Sequence, residues 1–265
     1  RRSGVPYIIG VGSLAASGVK SSYTTPGSAM WISGFGGEYG GNSAHTGGSA
    51  GDPAIMTIDQ SSCSKGYVRS GVSAGTGSNS NAFNNGDHAE NPSCDYVSTF
   101  NGTSSAAPSV AGVVALMLEA NSDLTWRDVK HILATTADQV DSSRSFDYLG
   151  VNQYEWETNS AGYKFHNWYG FGRIDAGEAV TTAASYTANS RGTFVTTGFK
   201  SSGTINASIS YPSNTVSTIA VTKPIGSNDF VEFVRISVKY SHSVPNSVGL
   251  RLQSPDGTVI NIMQP

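Results

Sequence analysis

The chain of 265 residues is poor in charge, in cysteine and in long apolar runs. Charged residues make up 13% of it, and its formal net charge of -3 gives no electrostatic reason to expect nucleic acid or an anionic membrane as a partner. The longest apolar runs are far shorter than a membrane span, and the first residues lack the apolar core of an export signal. The composition also argues against coiled coils and disorder.

The chain has two cysteines, Cys63 and Cys94, and both fall in a segment rich in Gly, Ser and Asn. In an oxidising compartment they would close a loop that has too little apolar surface to hold itself. We therefore expect a disulfide between them. Two reduced thiols, or a bond from each to a cysteine outside the chain, are the alternatives.

Glycine is abundant, with 31 residues, which together with frequent Ser, Thr and Asn is typical of all-β or α/β proteins with long surface loops. Residues 7–12 form an apolar run ending in glycine, as in a central strand of a parallel sheet. Residues 29–32 predict a second strand. Residues 34–101 predict a long loop with one strand at 54–58, and such a loop is commonly functional or cross-linked.

Helical patterns follow at residues 105–120, 124–137 and 175–184. In the second of these, Thr125 is the expected N-cap. Asp128, three residues later, is a weak capping-box partner for it.

The C-terminal part of the chain changes to apolar alternation, which predicts antiparallel strands. The pattern covers residues 215–221 and 234–238. A Ser-Pro-Asp-Gly turn then separates strands predicted at 249–253 and 258–263. The change places a domain boundary near residues 186–193.

One hydroxyl is presented by small residues where the long loop becomes a helix. Residues 101–112 read NGTSSAAPSVAG, and Ser104 lies among side chains too short to shield it. A nucleophile needs an exposed Oγ on a rigid element, beside helix-terminal N–H groups that can stabilise a developing negative charge. Because serine is a weak nucleophile at its free pKa, a base must activate it.

Four segments, in the same order, resemble the subtilisin-like serine peptidases, specifically their kexin/proprotein-convertase branch. Residues 102–108, GTSSAAP, are similar to the family's G-T-S-x-A-x-P serine motif. Residues 118–129 are similar to the L-E-A-N-x-x-L-T-W-R-D run of kexin-like members. Residues 169–176, YGFGRIDA, match the end of their catalytic domain, and the segment 254–258 resembles the start of their P domain.

The resemblance implies an α/β fold. Residues 1–188 would be the C-terminal portion of a subtilisin-like parallel-sheet peptidase domain, and residues 189–265 the N-terminal portion of a β-sandwich (jelly-roll) P domain. It implies hydrolysis of polypeptide substrates through an acyl-serine intermediate, with Ser104 as nucleophile and its backbone N–H in the oxyanion hole. It also implies a secreted protein, extracellular or periplasmic. We predict no nucleic-acid or membrane partner, and no oligomer is inferred.

The family's catalytic aspartate, histidine and oxyanion asparagine all lie well before its serine, and we expect their counterparts to precede Arg1. His45 and His88 lack the H-G-T context of the family's base and are interpreted as solvated loop residues. His131 and His166 follow the serine and are expected on a helix surface and in packing. We therefore predict that the chain is one part of a serine endopeptidase and that it is inactive on its own.

Kexin-like members carry a similar glutamate in a G-E-Y segment, where it helps to bind calcium. By this resemblance Glu38 is a candidate calcium ligand, with the remaining ligands expected before Arg1. A loop glutamate in solvent is the alternative.

The alternative function is a secreted, non-catalytic binding or scaffold protein that kept the fold. An intact D-x-G, H-G-T and oxyanion asparagine upstream would support the enzyme instead. An α/β-hydrolase is disfavoured, because its G-x-S-x-G elbow needs glycine where the chain has Ala106.

Overall fold

The computed structural model describes residues 5–40, 52–70, 82–86, 88–148, 151–196 and 230–263, together with residues 198, 199, 201, 203, 204, 206, 208 and 209. His45 and the predicted strand at 215–221 lie outside these residues.

A pair of parallel strands supports the helices. The first strand, β1 (Gly10–Leu14), pairs with β2 (Met30–Phe35). The first strand begins later than the sequence predicts, because Pro6 forms a turn in which the N–H of Ile8 donates to the carbonyl of Val5 (3.3 Å). Of the predicted parallel sheet, the described residues contain this pair and one further parallel bridge from β2.

The other strands form antiparallel ribbons of two strands each. The strand β3 (Ile55–Ile58) pairs with β4 (Tyr96–Phe100), which leads directly into the serine motif. The sequence predicts β3 but misses β4, which lies in the Gly- and Ser-rich region. The remaining pairs are β5 (Phe146–Tyr148) with β6 (Val151–Tyr154), β7 (Glu157–Thr158) with β8 (Lys164–Phe165), and β9 (Leu250–Gln253) with β10 (Val259–Met263).

Three α-helices lie close to their predicted positions: α1 (Thr103–Ala120), α2 (Trp126–Thr135) and α3 (Ala176–Ser185). Single 3-10 turns occupy Ala82–Asn84 and Pro245–Ser247. The helices share one apolar core, whose burial is the main driving force for their association. Its buried members are Met117, Leu124, Val129, Ile132, Leu133, Ala179 and Ala183.

The helix α1 is apolar along its whole length but only partly covered. Four of its 18 residues are buried, whereas Leu116 and Leu118 are 52% and 39% exposed. By length and composition this helix could cross a membrane. That is a weak indication, because the core helices of folded proteins pass the same test.

The C-terminal part of the chain contains a hairpin but not every predicted strand. The hairpin of β9 and β10 agrees with the prediction, including its turn. Residues 234–238 form no strand, so that prediction is wrong. A strand needs a neighbour to complete its hydrogen bonds, and the alternating residues Val234, Ile236 and Val238 are about half exposed, without such a neighbour among the described residues. The described residues of this part do not form the predicted sandwich.

Candidate active site

Ser104 lies in the first turn of α1 and is exposed. The helix begins at Thr103, two residues before the predicted start. Gly102 precedes it with φ 106° and ψ 163°, a conformation open to glycine and strained for other residues. The turn at Gly102 therefore takes the chain from β4 into the helix and leaves the Ser104 hydroxyl at the surface.

The start of α1 has no side-chain cap. The carbonyl of Gly102 accepts hydrogen bonds from the N–H (2.9 Å) and Oγ (3.1 Å) of Ser105. The N–H groups of Thr103 and Ser104 donate to no described residue. Unpaired N–H groups at the positive end of a helix are suited to hold an anion, and here they lie beside the serine hydroxyl.

A tyrosine hydroxyl holds the other side of Gly102. Tyr23 Oη accepts a hydrogen bond from the N–H of Gly102 at 2.8 Å and lies within hydrogen-bonding distance of the carbonyls of Gly36 (2.8 Å) and Gly37 (2.6 Å). The N–H of Gly102 also donates to the Gly36 carbonyl at 3.1 Å. No signal in the sequence singles out Tyr23, which is 79 residues away along the chain.

Three chain segments approach one another so closely at Gly36 that only glycine fits there. A Cβ atom at this position would lie 2.1 Å from Ser13 Oγ and 2.6 Å from the Gly102 carbonyl oxygen. Ser13 Oγ is in turn 2.8 Å from Ser21 Oγ and 3.1 Å from Tyr23 Oη. Buried hydroxyl groups of β1 and of the following turn thus support the loop that precedes Ser104.

Glu38 is fully buried, so the solvated alternative for it is wrong. Its carboxylate accepts hydrogen bonds from the backbone N–H and from the Oγ of Ser22, the latter at 2.8 Å. Calcium requires about six to eight oxygen ligands. In the described part of the chain no three His, Cys, Asp or Glu side chains come together as a metal site would need. The described residues alone therefore do not fit a calcium ion.

The structure joins Cys63 and Cys94 in a disulfide with an Sγ–Sγ distance of 2.07 Å. Cys94 is buried beside Val68 and Val97, in a small core of its own. This cross-link lies two residues before β4, the strand that leads to Ser104. It closes a loop that has little apolar surface of its own, which is where a covalent link adds most.

No described histidine forms a hydrogen bond with Ser104. The His88 ring lies tilted against Phe83, with ring centres 5.4 Å apart, and its Nδ1 accepts from the backbone N–H of Glu90. Burial lowers the pKa of His131, assisted by the charge of Arg191. Burial in an aromatic cluster lowers the pKa of His166 to about 4. The lowered pKa values favour the neutral imidazole at both positions, and both side chains have their partners away from Ser104.

Comparison with known proteins identifies the family. A model of the subtilase family matches residues 6–172. The chain belongs to the subtilase family. The matched range contains the serine motif at residues 102–108.

Two bacterial proteases are among the similar subtilases. The chain is 36% identical over 189 residues to the Aeromonas extracellular serine protease of Aeromonas sobria, covering 66% of this chain and 28% of that one. It is 30% identical over 273 residues to the microbial serine proteinase of Aeromonas salmonicida, covering 96% and 40%. The chain thus spans well under half the length of these two relatives.

Similarity extends to proprotein convertases and to a solved structure. The chain is 46% identical over 87 residues to proprotein convertase subtilisin/kexin type 6 of Homo sapiens, covering 33% of this chain and 8% of that one. The crystal structure of the serine protease of Aeromonas sobria matches with a TM-score of 0.54 and 35% identity, covering 67% of this chain and 29% of that one. The subtilase-like α/β fold is therefore shown for the N-terminal two thirds of the chain.

Proposed function

We propose that this chain is the nucleophile-bearing part of a serine endopeptidase of the kexin-like branch. The observation that carries the proposal is the exposed Ser104 on an uncapped helix start, beside the unpaired N–H groups of Thr103 and Ser104. These groups form an oxyanion site next to a nucleophile. The convertase match and the segments similar to kexin-like motifs support the branch.

The reaction would proceed by acyl transfer. Ser104 Oγ bonds to the carbonyl carbon of the substrate as its proton passes to a base. The C–N bond then breaks, and the amine leaves with that proton. Water hydrolyses the acyl ester, which restores the serine hydroxyl and releases the acid. The backbone N–H of Ser104 stabilises the negative oxygen formed in both halves of the reaction.

The base and its orienting carboxylate are proposed to come from outside the described residues. The support for this is that His88, His131 and His166 all have partners away from Ser104. Nucleophilic serine without its base loses several orders of magnitude in rate. Because His45 also lacks the H-G-T context of the family's base, the 265-residue chain alone is proposed to be inert, and the full-length protein active.

A fluorophosphonate probe tests both parts of the proposal. We expect rapid covalent labelling of the full-length protein, which Ser104→Ala abolishes together with peptidase activity, by at least about a thousandfold. Ser109→Ala, on the same exposed helix, serves as the matched control and should retain both. Equal turnover in Ser104→Ala would remove Ser104 as nucleophile. Rapid labelling of the isolated chain would show that a base lies within it, and absence of labelling and turnover in full-length wild type would favour the non-catalytic alternative.

Secretion and a P domain complete the proposed architecture. The disulfide and the extracellular relative support a secreted protein. The hairpin of β9 and β10 would be the first part of a P domain, with the boundary between residues 188 and 189. Polypeptides are the proposed substrates.

Calcium is proposed as a structural cofactor of the full-length protein only. Glu38 would supply one carboxylate, with other ligands from outside the described residues, since those present do not fit the ion by themselves. Calorimetric titration of the full-length protein tests this. We expect Glu38→Gln to weaken calcium binding by about tenfold, whereas Glu90→Gln, an exposed control, leaves it unchanged. Unchanged affinity in Glu38→Gln would remove Glu38 from the site.

A further inference from the structure

We propose that Tyr23 is a positioning residue for the nucleophile, acting through its hydroxyl on the peptide that precedes α1. This inference rests on the proposed function of Ser104. Tyr23 does not act on the reacting atoms itself. It contacts Gly102, the residue that ends the loop and begins the helix.

Each hydrogen-bonding site of the Tyr23 hydroxyl has a partner. Its single proton is directed at the carbonyls of Gly36 and Gly37, which lie 2.8 Å and 2.6 Å away. Its oxygen accepts from the N–H of Gly102 at 2.8 Å and lies 3.1 Å from Ser13 Oγ. A hydroxyl offers one donor and two acceptor sites, so this arrangement satisfies all of them.

Two carbonyl oxygens that converge on one point repel each other unless a donor lies between them. The Tyr23 hydroxyl lies between the carbonyls of Gly36 and Gly37 as a shared donor, and each carbonyl has one further donor, the Gly102 N–H for Gly36 and Ser21 Oγ (2.8 Å) for Gly37. Gly36 cannot be held by a side chain of its own, because a Cβ would collide with Ser13 and Gly102. The loop at Gly36 and the turn at Gly102 are therefore joined through a tyrosine that comes from a third segment.

Gly102 is fixed from both sides as a result. Its N–H is held by Tyr23 and by Gly36, and its carbonyl is held by Ser105. The orientation of this residue determines where the next peptide N–H groups point and where Ser104 Oγ lies. Catalysis is sensitive to displacements of about 1 Å in such a group. Removing the hydroxyl should therefore affect the chemical step more than substrate binding.

Tyr23→Phe in the full-length enzyme tests this, with Tyr39→Phe as the matched control. The Tyr39 ring lies edge-on to Tyr23 at 5.9 Å and is 37% exposed, and its hydroxyl bonds to no described residue. We expect kcat and the rate of fluorophosphonate labelling to fall about tenfold in Tyr23→Phe, with KM changed less than about twofold. Tyr39→Phe should leave all three unchanged.

The controls separate this inference from the proposed function. If Ser104→Ala retains activity, the proposed function fails whatever Tyr23→Phe does. If Ser104→Ala is inactive but Tyr23→Phe keeps the wild-type kcat and labelling rate, or loses no more than Tyr39→Phe, the positioning role of Tyr23 is overturned. A fall in Tm with unchanged kcat would likewise leave Tyr23 with a structural role only. Should Tyr23→Phe fail to fold, Ser13→Ala removes one neighbour of the same hydroxyl, and we expect kcat to fall about threefold; wild-type kcat there would overturn the inference.

Discussion

The helices α1 and α2 begin in opposite ways. At α2, Thr125 Oγ1 accepts from the N–H of Asp128, and the Asp128 carboxylate accepts from the N–H of Thr125, which makes a complete capping box. At α1, Gly102 provides no side chain, and the N–H groups of Thr103 and Ser104 have no partner in the described part of the chain. A capping box satisfies the N-cap and third-position N–H groups with side chains that also cover the first turn, whereas the start of α1 has no side-chain cap over its first N–H groups and stays open to a ligand.

The difference also shows in where the support for each helix comes from. The cap of α2 is local, since its two side chains are three residues apart. The start of α1 depends on Tyr23 and Gly36, which reach it from distant parts of the chain. We expect substitutions at the start of α2 to change stability and substitutions at the start of α1 to change activity.

Gly102→Ala should show the largest effect. A side chain at φ 106° is strained, so the turn and the serine beyond it would shift. We expect kcat/KM of the full-length enzyme to fall at least about a hundredfold. Gly112→Ala, in the open middle of α1, is the control and should keep its activity. Wild-type activity in Gly102→Ala would show that the start of α1 matters no more for activity than the start of α2.

Lys130, in α2, makes the stability of the folded chain depend on pH in the alkaline range. Its Nζ is buried, donates to the carbonyls of Pro6 (2.9 Å) and Ile8 (3.2 Å), and lies 3.8 Å from the centre of the Trp31 ring. Burial lowers the pKa of Lys130 from 10.5 to about 8. Between these values the unfolded chain binds more protons than the folded one, so the contribution of Lys130 to stability increases as pH rises.

The comparison of wild type with Lys130→Met isolates this effect, because other titrating groups cancel. We expect the difference in free energy of unfolding to change in favour of wild type by up to about 3 kcal/mol between pH 7.5 and 10.5. Chemical denaturation across that range measures it. A difference that does not vary with pH would show that Lys130 keeps an ordinary pKa.

Thr125→Ala should give the smallest effect and the clearest contrast with Gly102→Ala. It removes one side-chain acceptor from the start of α2, and we expect a loss of about 1 kcal/mol in the free energy of unfolding. Peptidase activity of the full-length enzyme should stay within about twofold of wild type. A large loss of activity at constant Tm would mean that α2 also contributes to the site.

Local signals in the sequence predicted part of this structure. The Thr125 cap and the apolar periodicity predicted α2 well, and the spacing of turn residues predicted the hairpin of β9 and β10. The strand β4 was missed because its surroundings are typical of a loop. The prediction of a strand at 234–238 failed because alternation alone does not provide a partner strand.

Some features of the candidate site can likewise be predicted from the sequence and others cannot. The exposed position of Ser104 at the start of a helix could be predicted because the motif at residues 102–108 is continuous in sequence. Tyr23 could not, because its role arises only when the turn after β1 folds against the start of α1. The burial of Glu38 could not be predicted either, since its partner Ser22 belongs to that same turn.

The outward side of α1 has a practical consequence for handling the protein. The apolar side chains of Leu116 and Leu118 are exposed on the helix that carries Ser104. Exposed apolar side chains favour association of molecules in water. We therefore expect preparations of the 265-residue chain to aggregate more readily than variants in which Leu116 and Leu118 are replaced by polar residues.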